Sequence, residues 1–428
     1  MQTPTRHPAA PAAAEAASPA PAPTTIATRR RLFALLVSAT LLVATALMVW
    51  TLSAGGFDGT DAVITLLFAL TVPFNAIAFW NALVGLVLMR TSRDLAQAVC
   101  PPLLPAHDRS PITTSTAILS CIRNEDAATV GRNLDLMIEG LVDAGVAERF
   151  HVYVLSDSDW PECIAAEETR IAELRERWHG RMGVTYRRRD DNPGFKAGNI
   201  GDFCERWGAQ HDFMLVLDAD SLMEADVILR MVRTMQAAPR LGILQSLMAG
   251  LPTTSAFARP LQFGMRMLMN GFTAGNAWWQ QDVGPYWGHN AIIRVAPFIE
   301  HCHLPPLPGK GPLSGWVLSH DQVEAALMRR AGFEVRVMLL DSGSWEETPT
   351  TLTEYLRRDL RWCHGNMQYF RLLRLPGLHP VSRVNLALAT GGFIGSTAWV
   401  LLMVLLAVPM AFDSGPTFLP GPGLAVFA

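Results

Sequence analysis

Charge is scarce in this sequence. Asp, Glu, Lys and Arg make up only 17% of its 428 residues, where an ordinary soluble domain has roughly a quarter. That shortage excludes a disordered or fibrous chain. A basic surplus is missing too: the net charge is −3 and the pI about 6.4, which argues against a general nucleic-acid binder. The six cysteines (Cys100, Cys121, Cys163, Cys204, Cys302 and Cys363) form no C-x-x-C pair and no compact framework. They read as reduced thiols of a cytosolic portion, and His301-Cys302-His303 has no second ligand pair at zinc spacing.

Apolar residues are abundant instead, at 50% with a mean hydropathy of +0.21, and they are concentrated in long runs. Residues 1–28, rich in Ala and Pro, read as a disordered tail. Arg29-Arg30-Arg31 then precedes an uncharged run, Leu32 to Leu52, of the length a helix needs to span a bilayer. A cleaved signal peptide shares this pattern, but the run is long for one and no clean Ala-x-Ala site closes it. A second run, Ala62 to Met89, contains Pro73 and Asn75 and ends at Arg90 and Arg93. The third run lies at 384–412, after Arg371, Arg374 and Arg383. Together 32–89 are expected to form two transmembrane helices and 384–412 a third. The placement of arginines puts 90–383 on the cytoplasmic side and 413–428 on the periplasmic side. The end of the chain reads as though further membrane helices were missing.

Between the membrane runs, apolar β-branched segments alternate with helical patterns. Strands are expected at Thr116–Ser120, His151–Leu155, Val184–Tyr186, Phe213–Leu217 and Leu241–Leu244, and helices at Val130–Leu141 and Glu167–Trp178. This alternation predicts an α/β fold with a mostly parallel sheet, whose ligands bind at the carboxyl ends of the strands. Polar motifs fall at those ends: Cys121-Ile-Arg123-Asn124-Glu125, Ser156-Asp157-Ser158-Asp159, and Asp218-Ala-Asp220. Asp-x-Asp after a buried strand suits Mg²⁺ or Mn²⁺ holding a diphosphate, although Asp also favours plain turns. Lys196-Ala-Gly198-Asn199 opens a helix, a place suited to an anion. Arg187–Arg189 alone would read as a solvated basic turn. Gly284 to Asn290 is a glycine-spaced aromatic segment that suits a sugar pocket. Asp321 at a helix start reads as either an N-cap or a general base. Arg358, Arg361 and Trp362 lie in a helical stretch of an interfacial kind.

Taken in chain order, Asp157, Asp218-x-Asp220, Ser319-His320-Asp321 and Arg358-x-x-Arg361-Trp362 resemble the D, DxD, (T/S)xD and (Q/R)xxRW signature of processive family-2 glycosyltransferases. That group contains the cellulose and hyaluronan synthases. The stretches SCIRNED, YVLSDSD, FKAGNIGDF, VLDADSLM, YWGHNAIIR, LSHDQVEAALMRRAGFEV and RRDLRWCHGN resemble the glucans biosynthesis glucosyltransferase H family in particular. Those enzymes make osmoregulated periplasmic glucans in the inner membrane of Gram-negative bacteria.

The resemblance implies a GT-A type domain inserted between transmembrane helices, using UDP-glucose, a divalent metal and a growing glucan acceptor. It further implies that Asp157 contacts the nucleotide and Lys196 the diphosphate. Asp218 would bind nucleotide and metal, with Asp220 the more direct metal ligand. Asp321 would be the base, Arg361 would neutralise departing UDP, and Trp362 would stack on the acceptor sugar. Arg358 stands where cellulose synthases carry Gln. An acyl carrier protein and a periplasmic glucan-modifying protein are the implied partners, besides membrane lipid. A cellulose- or mannan-type synthase, a ceramide-type glucosyltransferase and a catalytically silent sugar-nucleotide sensor are the rival readings.

Overall fold

The computed structural model describes residues 23–340 and 342–412. The chain enters through α1 (Pro23–Leu52), α2 (Gly59–Thr91) and the short α3 (Leu95–Val99). An α/β region follows with β1 (Thr116–Ile122), α4 (Ala127–Asp143), β2 (Phe150–Ser156), α5 (Pro161–Arg177), β3 (Gly183–Arg188), α6 (Phe195–Trp207) and β4 (Phe213–Asp218). Next come β5 (Leu222–Met223), α7 (Ala225–Ala237), β6 (Leu241–Ser246), β7 (Ala249–Gly250), α8 (Ala258–Gln280), β8 (Ala291–Arg294) and α9 (Val295–His301). The chain closes with α10 (Asp321–Arg330), β9 (Glu334–Met338), β10 (Ser344–Glu346), α11 (Leu352–Leu372) and α12 (Pro380–Phe412).

A seven-stranded sheet in the order β3-β2-β1-β4-β8-β6-β9 forms the centre, and β8 alone runs antiparallel to its neighbours. The expected strands all belong to it, each running slightly beyond its expected span. Their side chains alternate between two cores, as the pleat requires. Ile118, Ile122, Val152, Val154, Leu215 and Leu217 pack on the side of α4, α5 and α7. Ala117, Leu119, Leu155, Met214 and Val216 pack on the side of α6, α9 and α10. A strand buried on both faces carries an almost unbroken apolar run, which is why β1 and β4 were easy to read. Helix α4 starts where Asp126 caps it, accepting from the Ala128 and Thr129 N–H groups. Proline at the first position starts α5 earlier than its apolar pattern suggests.

Three helices are long and apolar enough to cross a membrane: Thr25–Gly55, Gly59–Thr91 and Pro380–Ala407. The expected boundaries move outward, the second helix running Gly59–Thr91 rather than Ala62–Met89. The tail expected over 1–28 gives way to helix from Pro23, because proline suits a first helical turn and nothing breaks the chain before Arg29. Residues 1–22, and the tail expected at 413–428, lie outside the described residues. Likewise the third apolar helix begins at Pro380 rather than 384.

These helices are joined tightly to the α/β region. A Cβ at Gly85 of α2 would lie 1.7 Å from the Gly271 carbonyl oxygen of α8, and one at Gly275 would lie 1.9 Å from that of Asn81. Trp279 Nε1 donates to Asn81 Oδ1 at 3.1 Å along the same seam. Arg30 of α1 reaches Asp282 Oδ1 at 2.7 Å, and Arg329 of α10 reaches Asp282 Oδ2 at 2.6 Å. Burial pushes the Asp282 carboxyl up, but Arg329 and Arg30 outweigh it and hold it below its ordinary value.

Gly85→Ala and Gly275→Ala should each lower stability by about 1–3 kcal/mol through overpacking of α2 on α8. Gly59→Ala, which meets nothing within 4 Å, serves as the control. Thermal retention in detergent checks this, and equal midpoints for all three variants would show that the seam is not close-packed.

Candidate active site

Strand register brings the polar motifs to one edge. Cys121 of β1 lies opposite Asp218 of β4, and Ile122 lies opposite Ser156 of β2. Asp157 and Asp218 therefore leave the same carboxyl edge of the sheet. Helix α6 starts there as well, after Gly194 in the left-handed region (φ 74°), and its second residue is Lys196. The Lys196 ammonium pairs with the Asp218 carboxylate and donates to the Gly288 carbonyl oxygen at 2.8 Å. Burial pushes the Asp218 carboxyl up, but Lys196 and then His289 outweigh it and hold it at about 2. The lysine, in turn, stays charged because Asp218 overcomes the effect of burial.

Gly288 also stands beside Asp321: a Cβ there would lie 3.5 Å from the Asp321 Cβ and 3.9 Å from its Oδ2. Asp218, Lys196, Gly288 and Asp321 thus share one side of the site. Asp321 is the first residue of α10, not its cap; His320 holds the cap position, and no side chain bonds the first turn there. Burial raises the Asp321 carboxyl above its ordinary value, opposed by His320 and Lys196.

Asp157 is buried and held in a two-pronged ion pair, with Arg189 Nε to Oδ1 and Nη2 to Oδ2 both at 2.7 Å. The basic run is therefore not a solvated turn. Arg187, also buried, pairs with Asp202 at 3.0 Å, and only Arg188 turns outward, to Asp190.

On the other flank, α11 is fixed by a capping box in which Thr351 and Glu354 bond each other's backbone. Arg358 and Arg361 line a cleft of about 740 Å³ with Asp220, Glu347 and Arg357. Trp362 is half-exposed and does not line that cleft; the Arg358 guanidinium lies over its ring, 4.6 Å from the centroid. A separate cavity of about 270 Å³ lies between Trp287, Gln322 and the first turns of α12 at Ser382 and Asn385.

Several residues at this site carry weak sequence signals. His289 Nε2 stands 3.3 Å from Glu346 Oε2 and 3.8 Å from Asp218 Oδ2, and the Glu347 N–H donates to Asp220 Oδ2 at 3.3 Å. Glu346 and Glu347 arrive on β10, which pairs with β5 and β7 in a small second sheet. An acidic pair after a three-residue strand announces nothing, and its distance from Asp220 along the chain hides it. His289, by contrast, follows Gly288 in a segment already marked by its glycines.

The acids here raise one another. Burial first, then the charges of Asp220 and Asp218, push Glu125 up; burial and Asp218 do the same to Asp220. Burial and Asp220 raise Glu347, and desolvation, with Asp220 behind it, raises the half-buried Glu346 against the pull of His289. Such crowding favours a divalent cation, and one or two carboxylates suffice for Mg²⁺ when substrate phosphates complete its shell. No three His, Cys, Asp or Glu side chains converge into a ready cage among the described residues, the His301–His303 segment included.

Because these carboxyls are raised in the folded chain, their burial and mutual repulsion cost stability at neutral pH, and the cost is relieved as pH falls. The metal-free thermal midpoint should therefore rise as pH drops from 8 toward the raised carboxylate range. Asp220→Asn should raise the midpoint at pH 8 by about 2–4 °C, the shift expected for about 1 kcal/mol in a domain of this size. A lowered midpoint for Asp220→Asn at pH 8 would contradict the crowding.

Glycosyl transferase family 2 matches residues 119–302, and Glycosyl transferase family group 2 matches residues 213–413. Over 383 residues the chain is 41% identical to the glucans biosynthesis glucosyltransferase H of Ralstonia nicotianae, covering 89% of this chain and 44% of the relative. The protein of that name from Escherichia coli K12 is 42% identical over 347 residues, covering 80% of this chain and 40% of the relative. The chain thus spans less than half the length of these curated relatives. Its fold is similar to that of a mannosyltransferase from Pyrobaculum calidifontis in complex with GDP-Man and Mn²⁺, at 17% identity and a TM-score of 0.53 over 82% of this chain and 89% of that one. The ordered motifs, the two family matches and the kinship with these glucosyltransferases together place the chain in glycosyltransferase family 2, on the GT-A fold.

Proposed function

We propose that the chain carries the catalytic part of an inverting membrane glucosyltransferase, which adds glucose from UDP-glucose to a growing glucan. The observation that carries this reading is the gathering of Asp218, Lys196, Gly288 and Asp321 at the sheet's carboxyl edge, with Arg361 and Asp220 both lining the adjoining cleft. One carboxylate base and one cationic flank suit a single in-line displacement. The acceptor hydroxyl gives its proton to Asp321, its oxygen bonds to the anomeric carbon, and the bond from that carbon to UDP breaks. Inversion follows, from an α-linked donor to a β-glucosidic product.

Asp157 meets the nucleotide, together with Asp218, and Lys196 meets the diphosphate. Arg361, with Arg358 beside it, balances the charge that the leaving UDP gains. Asp220, with Asp218, would hold Mg²⁺ or Mn²⁺, whose chemistry is to polarise and neutralise the diphosphate. Trp362 offers its ring to the acceptor sugar.

The relatives' name supports a glucan product, and we extend it to the β-1,2-linked backbone of osmoregulated periplasmic glucans. The arginines at Arg29–Arg31, Arg90, Arg93 and Arg383 support an inner-membrane, multi-pass placement with the catalytic region in the cytoplasm. The cavity at Trp287, Gln322 and Asn385 would lead the glucan toward α12, since a sugar polymer in a membrane needs protein to line its path. An acyl carrier protein and a periplasmic glucan biosynthesis protein are the proposed partners.

The test is incorporation of labelled glucose from UDP-glucose by membranes holding this chain, with Mg²⁺ or with EDTA. Asp321→Asn should cut incorporation by roughly 10²–10⁴-fold, the contribution of a positioned base, while UDP binding persists. Linkage analysis of the product should return β-1,2 bonds. Incorporation unaffected by Asp321→Asn would remove the base from that position. UDP binding without any incorporation by the unaltered chain would sink the synthase reading for this length of polypeptide.

A further inference from the structure

Helix α10 delivers more than Asp321 to the site. His320, 6% exposed, sits immediately before it, and its Nδ1 lies 2.9 Å from Oε2 of Glu324, which is 1% exposed. Glu324 lies one turn into the helix among Val323, Ala325, Ala326 and Leu327, all buried in the apolar core beside α6 and α9. A carboxylate is costly there, and an apolar side chain of similar volume would be no worse for stability alone.

The surroundings show what the pair could serve. Burial works against Asp321, a base that must be ionised before it can accept a proton. Burial also works against a charged His320, but Glu324 outweighs it and holds the ring above its ordinary value. The other titratable groups facing the pair are Lys196 and Cys204 of α6, Asp218 of β4, Tyr286 before β8, Cys302 after α9 and Tyr369 of α11. Lys196 is a cation, committed to Asp218 and Gly288. Burial pushes the Cys204 and Cys302 thiols and both tyrosine hydroxyls up, so these four stay neutral.

Resting on the assignment of Asp321 as the base, we propose that His320 and Glu324 are a positioning pair for it. Glu324 keeps the His320 ring charged, and the charged ring keeps Asp321 ionised against the Gly288 side of the cleft. Neither residue touches the sugar; both act through Asp321.

The test compares wild type, Glu324→Gln and Glu324→Asp for UDP-glucose turnover between pH 5.5 and 9. Without its partner carboxylate the ring turns neutral, Asp321 loses its supporting charge, and its carboxyl rises further. Glu324→Gln should therefore be about tenfold slower at pH 6 and within about twofold of wild type at pH 8.5, with KM for UDP-glucose unchanged, as expected of a shifted base. Glu324→Asp should restore part of the acid limb. An equal loss at every pH, or no loss, overturns the proposal.

Histidine-¹⁵N spectra of the same proteins, assigned with His320→Asn, give a readout independent of turnover. A doubly protonated His320 ring at pH 7 that turns neutral in Glu324→Gln upholds the pair even if the chain turns over no UDP-glucose, an outcome that would sink only the synthase reading. A neutral ring in the wild type overturns the pair.

Discussion

Negative charge crowded at the carboxyl edge of one sheet is the constraint around which this molecule is arranged. Asp218 and Asp220 leave β4 side by side, Glu125 follows β1, and Glu346 and Glu347 come in on the small second sheet. Burial first, and then mutual repulsion, raises the carboxyls at Glu125, Asp220 and Glu347. The exception is Asp218, which has Lys196 as a direct partner. One cation therefore divides the cluster in two: a carboxylate that stays ionised, and a group of acids that welcomes a further positive charge.

The same logic extends to the flanks. Arg189 takes up the charge of Asp157, His320 pairs with Glu324 just before Asp321, and Arg358 and Arg361 of α11 line the cleft with Asp220. An anion entering this cleft meets cations already placed. The parallel sheet supplies the geometry because all its carboxyl ends face one way, and β8, the antiparallel member, brings Gly288 in from the loop before it.

The apolar helices are part of this arrangement rather than an appendage. Asp282 collects Arg30 from α1 and Arg329 from α10, so the helix that presents Asp321 is tied by ions to the first apolar helix. The α2–α8 seam closes over Gly85 and Gly275, where backbones approach within reach of each other's carbonyls. Close approach through small residues is how helices associate when apolar burial alone gives no direction. A site built in this way keeps its position relative to the long apolar helices.

What the sequence by itself determined is the local and the periodic. The strands of the main sheet announced themselves because burial on both faces demands unbroken apolar runs, and the long helices because a bilayer demands length. Asp157, Lys196, Asp218, Asp220 and Asp321 stand out as candidates in the sequence because each ends or follows a strand or lies at a helix start. Only the tertiary structure decided which of the charges face one another. That Arg189 belongs to Asp157, that Glu346 and Glu347 join Asp220, and that Arg30 holds Asp282 are contacts between residues far apart in the chain. Such pairings leave no periodic trace, since they depend on strand order and helix crossing rather than on neighbours in sequence. Trp362 shows the same limit from the other side. Its motif marked it beside Arg361, but packing gave its ring to Arg358 and left it off the cleft that Arg361 lines.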